Sequence, residues 1–503
     1  MQRAYILPSA SAPRREEPAR SGSLAIALLA AGAALACAAL VPVPELWVIA
    51  ALAVGILIVV EPRLGLYLAA VAVGLESVTF GAPDSPFRYL FLAIGSSTPL
   101  SGLAISPVEL LVLWTTIAWA VRSAAQGSWR LPNRYLMAGA VCSFVLFLLA
   151  VQYGVSRGAD LTLALWEVRP MLAVLPLMLI TTGLVTERRH LAELGAVLFC
   201  SLLVMAGEQF WEYLFHVRGA YGGALDLAFT HENGPLIALV MVIAASWALW
   251  GPNPRQRLIA LAIAVLTGIV LLTMRRRAGL VAGEAGLLLV GLVLLVKDRR
   301  RFMIIAPIAA AAAVVYLGVY WNDPNTLGQP ARAFRSVFDT ESLGARDQAS
   351  DDYRFKETQN VWWNIQAQPT RGLGFGMEYP KPQPMPDLTN FWPFWPQIPH
   401  NTILWVWLKA GVFAFVAFWF LVGAACSQAA AVIKSSRDPL IITAASAVLA
   451  YIVMLLMFSY VDLGLLNPRL MMLFGMFLGL VPVLQHFAAA DSLSLPTTEE
   501  AAA

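Results

Sequence analysis

Three consecutive arginines, Arg275-Arg276-Arg277, stand between two apolar runs, 258–273 and 279–296. Guanidinium groups offer a planar fork of donors that suits phosphate. Further along, His400 sits in Pro399-His400-Asn401-Thr402-Ile403-Leu404, where another long apolar run begins. Histidine is the side chain best poised for proton transfer near neutral pH. The N-terminal end of a helix favours the neutral imidazole, which is the base form. An isolated histidine there is also read as a cap or an interface residue, and His190 and His486 are read that way. Arginines and a base are the parts needed to hold an anionic, phosphate-bearing ligand beside a group that moves protons.

The elements that must position these residues follow from composition. Of 503 residues, 59% are hydrophobic and 13% are charged, with mean hydropathy +0.69. Soluble proteins carry about 25% charged residues. A soluble fold this apolar would expose much of that surface to water, and disorder needs the opposite composition. Four cysteines exclude a disulfide-rich scaffold. They show no metal-ligand spacing and are read as buried small apolar residues. The class that remains is an all-α polytopic integral membrane protein. Its apolar stretches run 23–41, 46–60, 64–80, 107–121, 135–152, 170–185, 191–206, 235–250, 258–273, 279–296, 302–320, 402–426, 439–458 and 470–488. They are continuous and not alternating, which makes them helices and not barrel strands. Twelve to fourteen transmembrane helices are expected, with one large extracytoplasmic loop. The expected organisation is a cytoplasmic tail over 1–22, a transmembrane bundle over 23–320, the loop over 321–401, further transmembrane helices over 402–488, and a cytoplasmic tail over 489–503.

Lys and Arg in short loops set the orientation. With the N-terminus inside, the inner loops carry Arg63, then Arg122, Arg130 and Arg134, then Arg188 and Arg189, then Arg255 and Arg257, then Lys297 and Arg299 to Arg301, then Lys434 and Arg437. Parity between two flanking basic loops places Arg275 to Arg277 on the opposite, outer side. The alternative is that neither flanking segment crosses. A charge kept at a bilayer boundary against the bias marks a candidate site. Glu284 is a candidate ion-pair partner. Arg169, at the mouth of a span, joins the outer charges. Arg469, at the start of the last span, does so too and is read as a solvated surface charge. The loop itself offers Asp351-Asp352-Tyr353-Arg354, a helix over 352–368, Trp362-Trp363, and Arg371-Gly372-Leu373-Gly374-Phe375-Gly376, where glycine permits close backbone approach or positive φ. A Pro- and Trp-rich segment around Phe391-Trp392-Pro393-Phe394-Trp395 follows, with aromatic faces suited to sugar rings or to the membrane interface.

The stretch from Arg354 to Gly411 resembles the core signature of the O-antigen ligase superfamily. That signature is an Arg, a Trp about two turns on, a Gly-x-Gly-x-Gly run, then His-Asn-x-x-Leu entering a helix with a later Gly. Here Arg354, Trp362 or Trp363, Gly372, Gly374, Gly376, His400-Asn401, Leu404 and Gly411 match it. Arg277-Ala278-Gly279 is similar to the family's Arg-Gly step at an outer helix end, with Arg276 in a position that is commonly Ser. Thr230-His231-Glu232-Asn233 resembles a segment at the start of an earlier span. The triple arginine and the Pro/Trp-rich insert before His400 depart from the pattern.

The resemblance implies a metal-independent, cofactor-free, inverting glycosyltransferase of the bacterial cytoplasmic (inner) membrane, working at its outer face. The donor is a glycan on a polyprenyl pyrophosphate, and the acceptor is a hydroxyl on a glycolipid, a glycan or a protein. It implies His400 as base and Arg277 and Arg354 as the cations that hold the leaving pyrophosphate. Arg275, Arg276, Arg169, Asn401, Gly374 and Trp363 are implied as substrate-binding. Ligase, polymerase and protein glycosyltransferase share these motifs. The rival class is a polytopic transporter or flippase of an anionic lipid-linked substrate, which needs charge near the bilayer midplane. Such charges are few here, mainly Glu284 and Lys409.

Overall fold

A computed structural model describes residues 44–75, 105–217, 232–274, 276–323, 326–335, 345–390 and 394–493. Two compact units are distinguished, 1–64 and 65–503. The first contributes α1 (Pro44–Val60) and the Glu61–Arg63 ion pair, 2.8 Å from Nε to Oε1. The division falls just inside α2 (Arg63–Leu75).

In the larger unit come α3 (Pro107–Gln126), α4 (Arg134–Ser156), α5 (Leu161–Leu172), α6 (Val174–Leu184) and α7 (Arg188–Glu212). After these come α8 (Asn233–Trp250), α9 (Pro254–Thr273), α10 (Arg277–Lys297), α11 (Arg299–Tyr320), α12 (Gln329–Arg335) and α13 (Ala345–Ala367). The chain closes with α14 (Thr402–Ser435), α15 (Pro439–Val461) and α16 (Pro468–Leu493). Among the described residues 11 helices are long and apolar enough to cross a membrane, and α1 and α2 are shorter apolar helices. The expected 23–41 span lies outside the described residues.

Boundaries depart from the apolar runs where polar residues are tolerated inside a helix. The expected 170–185 span is α5 and α6 joined at Ala173, a single crossing over Leu161–Leu184. Pro170, which cannot donate to the ladder, sits at that junction. Arg169 is therefore inside a span and not at its mouth. The 402–426 run extends to Ser435 and is kinked at Gly411, whose φ 77°, ψ 177° are not helical. Cys142 and Cys200 face outward from the bundle and Cys426 is half-buried, so the cysteines are not core residues as composition suggested. Cys37 lies outside the described residues.

The centre of the bundle is α8, α15 and α16, whose apolar side chains point inward on nearly all sides. At the opposite extreme, α11 buries none of its residues. Small residues set the closest crossings. A Cβ on Gly279 of α10 would lie 3.0 Å from the Cα of Gly234 on α8, so glycine on both helices lets the backbones meet beside Arg277.

The loops sort by charge. At one end Arg188 pairs with Asp438 (2.8 Å) and Asp491, Arg130 reaches the Thr186 carbonyl, and Lys297 reaches the Ser436 carbonyl. These loops are the basic ones. The other end carries Arg277, the 345–400 segment and the 462–467 turn.

Candidate active site

Helix α13 organises that second end. Asp351, Arg354 and Glu357 recur every third residue along it, which puts them on one flank spanning about 9 Å of axis at 1.5 Å per residue. Each meets a different part of the chain.

Asp351 accepts two hydrogen bonds from Arg277, at 3.0 Å from Nη2 to Oδ1 and 3.2 Å from Nη1 to Oδ2. Arg354 Nη1 lies 4.0 Å from the same Oδ1. One carboxylate thus gathers two guanidinium groups from helices far apart in sequence. The partner expected for the arginines was Glu284. The carboxylate that holds Arg277 is Asp351 instead, because α13 folds back over the start of α10.

Glu357 is 1% exposed and meets His400 twice. Its Oε2 accepts the His400 backbone N–H at 2.8 Å and lies 3.1 Å from Nδ1, with Oε1 at 3.2 Å. A carboxylate on Nδ1 fixes the proton there and leaves the Nε2 lone pair to act as base. The imidazole ring is edge-on to Tyr353, with centroids 5.7 Å apart. Burial alone would lower the His400 pKa. The Glu357 hydrogen bond and charge, helped by Asp462, outweigh it and raise the pKa above the ordinary 6.5, with Arg354 opposing. The helix-end argument for a favoured neutral imidazole is therefore corrected. The residue precedes the cap, and the carboxylate beside it dominates the weaker dipole.

Asn401 is that cap. Its side chain accepts the Leu404 N–H at 3.1 Å and it is 3% exposed. Gly374 also has a structural place. The glycine run threads between α4 and the kink in α14, with Leu373 N–H on the Leu408 carbonyl (2.8 Å) and Gly374 N–H on the Lys409 carbonyl (2.9 Å). Gly372, Gly374, Gly376 and Gly411 all have positive φ. A Cβ on Gly374 would lie 2.4 Å from the Gly154 Cα, and one on Gly411 2.1 Å from the Thr370 carbonyl oxygen. Close backbone approach is why glycine occupies these positions.

Beneath the run lies a buried ion pair that sequence reading did not assign. Lys409 Nζ is 3.2 Å from Glu167 Oε1, and neither side chain is exposed. Glu167 also accepts from Trp405 Nε1 (2.7 Å) and Gly376 N (2.6 Å). Its full hydrogen bonding makes burial of the charge tolerable. The pair joins α5, α14 and the glycine run under His400.

The Pro/Trp-rich insert packs on the far part of α13. Asn360 exchanges two hydrogen bonds with Gln383, at 3.0 and 2.8 Å, and Asn364 donates to the Pro380 carbonyl at 2.7 Å. Trp395 Nε1 donates to the Tyr353 hydroxyl, which lies 3.5 Å from Glu357 Oε1. Burial, then Glu357, raises the Tyr353 pKa, so the hydroxyl stays protonated. Burial brings the Lys381 amine down to about 8, against the pull of Glu378 and Glu357.

The remaining expected residues fall elsewhere. Arg276 occupies the N-cap position of α10 beside Arg277 and is half-buried. Arg169 pairs with Glu109 at 3.5 Å and lies over the Trp166 ring, which stacks on Phe394 at 3.8 Å. It is brought to the insert and not to Asp351. Trp363 is half exposed on another flank of α13. Arg275, Thr230 and His231 lie outside the described residues. Arg469, expected as a surface charge, is 1% exposed. Its guanidinium donates to the Val73 carbonyl (2.8 Å) and Asn233 Oδ1 (2.7 Å), because Pro468 starts α16 inside the bundle. Glu357 could have been found only as the next carboxylate three residues beyond Arg354.

No curated protein matches the chain. Residues 262–419 match the family model described as O-Antigen ligase, a range that includes Arg277, α13, the glycine run and His400. The segment that builds this site is thus the one that is similar to the O-antigen ligase family.

Proposed function

We propose that the protein transfers a glycan from a polyprenyl pyrophosphate to an acceptor hydroxyl at the outer face of the cytoplasmic membrane, in the assembly of a surface polysaccharide. The carrying observation is that α13 ties Arg277, Arg354 and His400 into one site through Asp351 and Glu357. Cleavage of the glycosyl–phosphate bond develops charge on the pyrophosphate, and preorganised guanidinium groups stabilise it. Arg277 and Arg354 take that role, with Arg276, beside Arg277, and Arg275, next to it in sequence, as further phosphate contacts.

His400 Nε2 removes the acceptor proton as the hydroxyl attacks the anomeric carbon. Glu357 stabilises the imidazolium that forms. Proton transfer by His400 and charge stabilisation by arginine require no metal and no cofactor. Direct displacement inverts the anomeric configuration. The basic loops at the opposite end of the bundle support an extracytoplasmic site, by the positive-inside rule. Arg169, beside the insert, and Trp363, on another flank of α13, are read as glycan contacts, while Asn401 caps the helix that follows His400 and Gly374 brings the glycine run against that helix.

The test is transfer by purified protein in liposomes with chelator present, followed by NMR of the new linkage. The expected result is polyprenyl pyrophosphate release matched by a product of inverted anomeric configuration. Retained configuration, or turnover that stops with chelator and returns with a divalent cation, would overturn the mechanism.

A further inference from the structure

An amine sits at the neck of the insert between Gly376 and His400. Lys381 Nζ lies 4.0 Å from the centroid of the Tyr379 ring and 4.1 Å from that of Trp395. It donates to the Pro396 carbonyl at 3.2 Å, and the Tyr379 N–H donates to the same carbonyl at 3.2 Å. One end of the insert is thereby fastened to the other. A cation between two aromatic faces gains from both ring quadrupoles, more so when desolvated.

What the neck holds matters for the histidine. Trp395 carries the cation on its face and donates its N–H to the Tyr353 hydroxyl. Tyr353 stands edge-on to the His400 ring and beside Glu357. The path from amine to imidazole is Lys381, Trp395, Tyr353, His400, every step a contact. The charged and titratable groups that act on Lys381 are Glu378, Glu357, Asp387 and Lys409, with Tyr379 in contact. Those that act on His400 are Glu357, Asp462 and Arg354, with Tyr353 in contact.

We propose that Lys381 is a positioning residue for the Glu357–His400 pair, holding the insert closed so that Trp395 and Tyr353 fix the imidazole. The role rests on the proposed function only for its effect on turnover. Its effect on the histidine is independent of that reading. The ammonium also lends positive charge to the surroundings of Glu357. Its loss strengthens the carboxylate's hold on the imidazolium proton.

The experiment follows carbethoxylation of the His400 peptide against pH by mass spectrometry, for the wild type, Lys381→Arg, Lys381→Met and Trp395→Phe. The reagent modifies neutral imidazole, so the midpoint reports the His400 pKa. Lys381→Met is expected to move that midpoint to higher pH and to raise the plateau rate, while Lys381→Arg restores both. Trp395→Phe keeps the aromatic face and loses the N–H, and is expected to raise the plateau while leaving the midpoint near the wild type. Transfer kcat in Lys381→Met falls on the order of 10²-fold with donor KM unchanged, the scale of a misplaced catalytic group. Profiles identical to the wild type in both Lys381→Met and Trp395→Phe would overturn the proposal, as would Lys381→Arg behaving like Lys381→Met. A shifted profile with no glycan transfer by the wild type would refute the proposed function and leave the positioning role standing.

Discussion

Glu357 holds His400 by two atoms at once, the backbone N–H at 2.8 Å and Nδ1 at 3.1 Å. A single contact would orient the ring or the chain. The double contact fixes both, and it fixes them from the helix that also carries Asp351 and Arg354.

The pH dependence of transfer follows from this pair. The folded His400 pKa is raised above 6.5, so the base form appears only as pH rises through that higher value. The acidic limb of kcat/KM is expected above pH 6.5, and Glu357→Gln is expected to move it down while lowering kcat. The same shift gives the stability sign. A raised pKa contributes stability that is complete below the unfolded value of about 6.5 and is lost as pH rises through the folded value. Unfolding midpoints measured across that window should converge for the wild type and Glu357→Gln at the high end.

Arg277 is held by a partly exposed carboxylate, and an exposed pair contributes only about 0–1 kcal/mol. Arg277→Ala should therefore leave the unfolding midpoint nearly unchanged. Its kcat should fall about 10²–10³-fold, the scale for removing one charge-stabilising donor. Arg277→Lys should not restore it, because one ammonium cannot reproduce the two-point fork. A large midpoint loss in Arg277→Ala would show the residue to be structural.

Glycines of the same local conformation should differ by their neighbours. Gly374 and Gly158 both have positive φ, but a Cβ meets the α4 backbone at 2.4 Å in the first and nothing within 4 Å in the second. Gly158→Ala should cost only the left-handed conformation, about 1–2 kcal/mol. Gly374→Ala should cost distinctly more, read as loss of folded protein in detergent. Equal effects would remove the close-packing account of the run.

The Glu167–Lys409 pair offers a thermodynamic cycle. Removing one partner of a buried pair costs about 3–5 kcal/mol because the other charge is stranded. Lys409→Met is expected to show that loss. The double variant with Glu167→Gln is expected to regain part of it, since no buried charge is left stranded, although the single amide oxygen accepts from Trp405 or Gly376 and not from both. Additive losses would mean that the two groups act separately.

The helices were legible because continuous apolar runs admit few structures in a bilayer, and the arginines stood out because in the expected orientation they break a charge rule. His400 was singled out by its type and its place at a helix start, and the structure puts it just before that helix. Glu357 and Glu167 were not. A carboxylate gains its role from a partner reached through the fold, 43 residues away for Glu357 and 242 for Lys409 with Glu167. No local spacing announces such a partner. Arg469 was misread for the same reason, since Asn233 and the Val73 carbonyl that bury it come from other helices. The glycine run was legible as close approach, but which backbone approached it was not.

Arg277 and His400 are proposed to serve one chemical step. This is tested most directly by transfer rates of the wild type, Arg277→Ala, His400→Ala and the double variant. Groups that act as a unit are not additive. Each single variant is expected to lose activity, with His400→Ala down about 10²–10⁴-fold. The double variant is expected to be little worse than the worse single. Losses that multiply, or wild-type turnover in either single variant, would contradict the shared step.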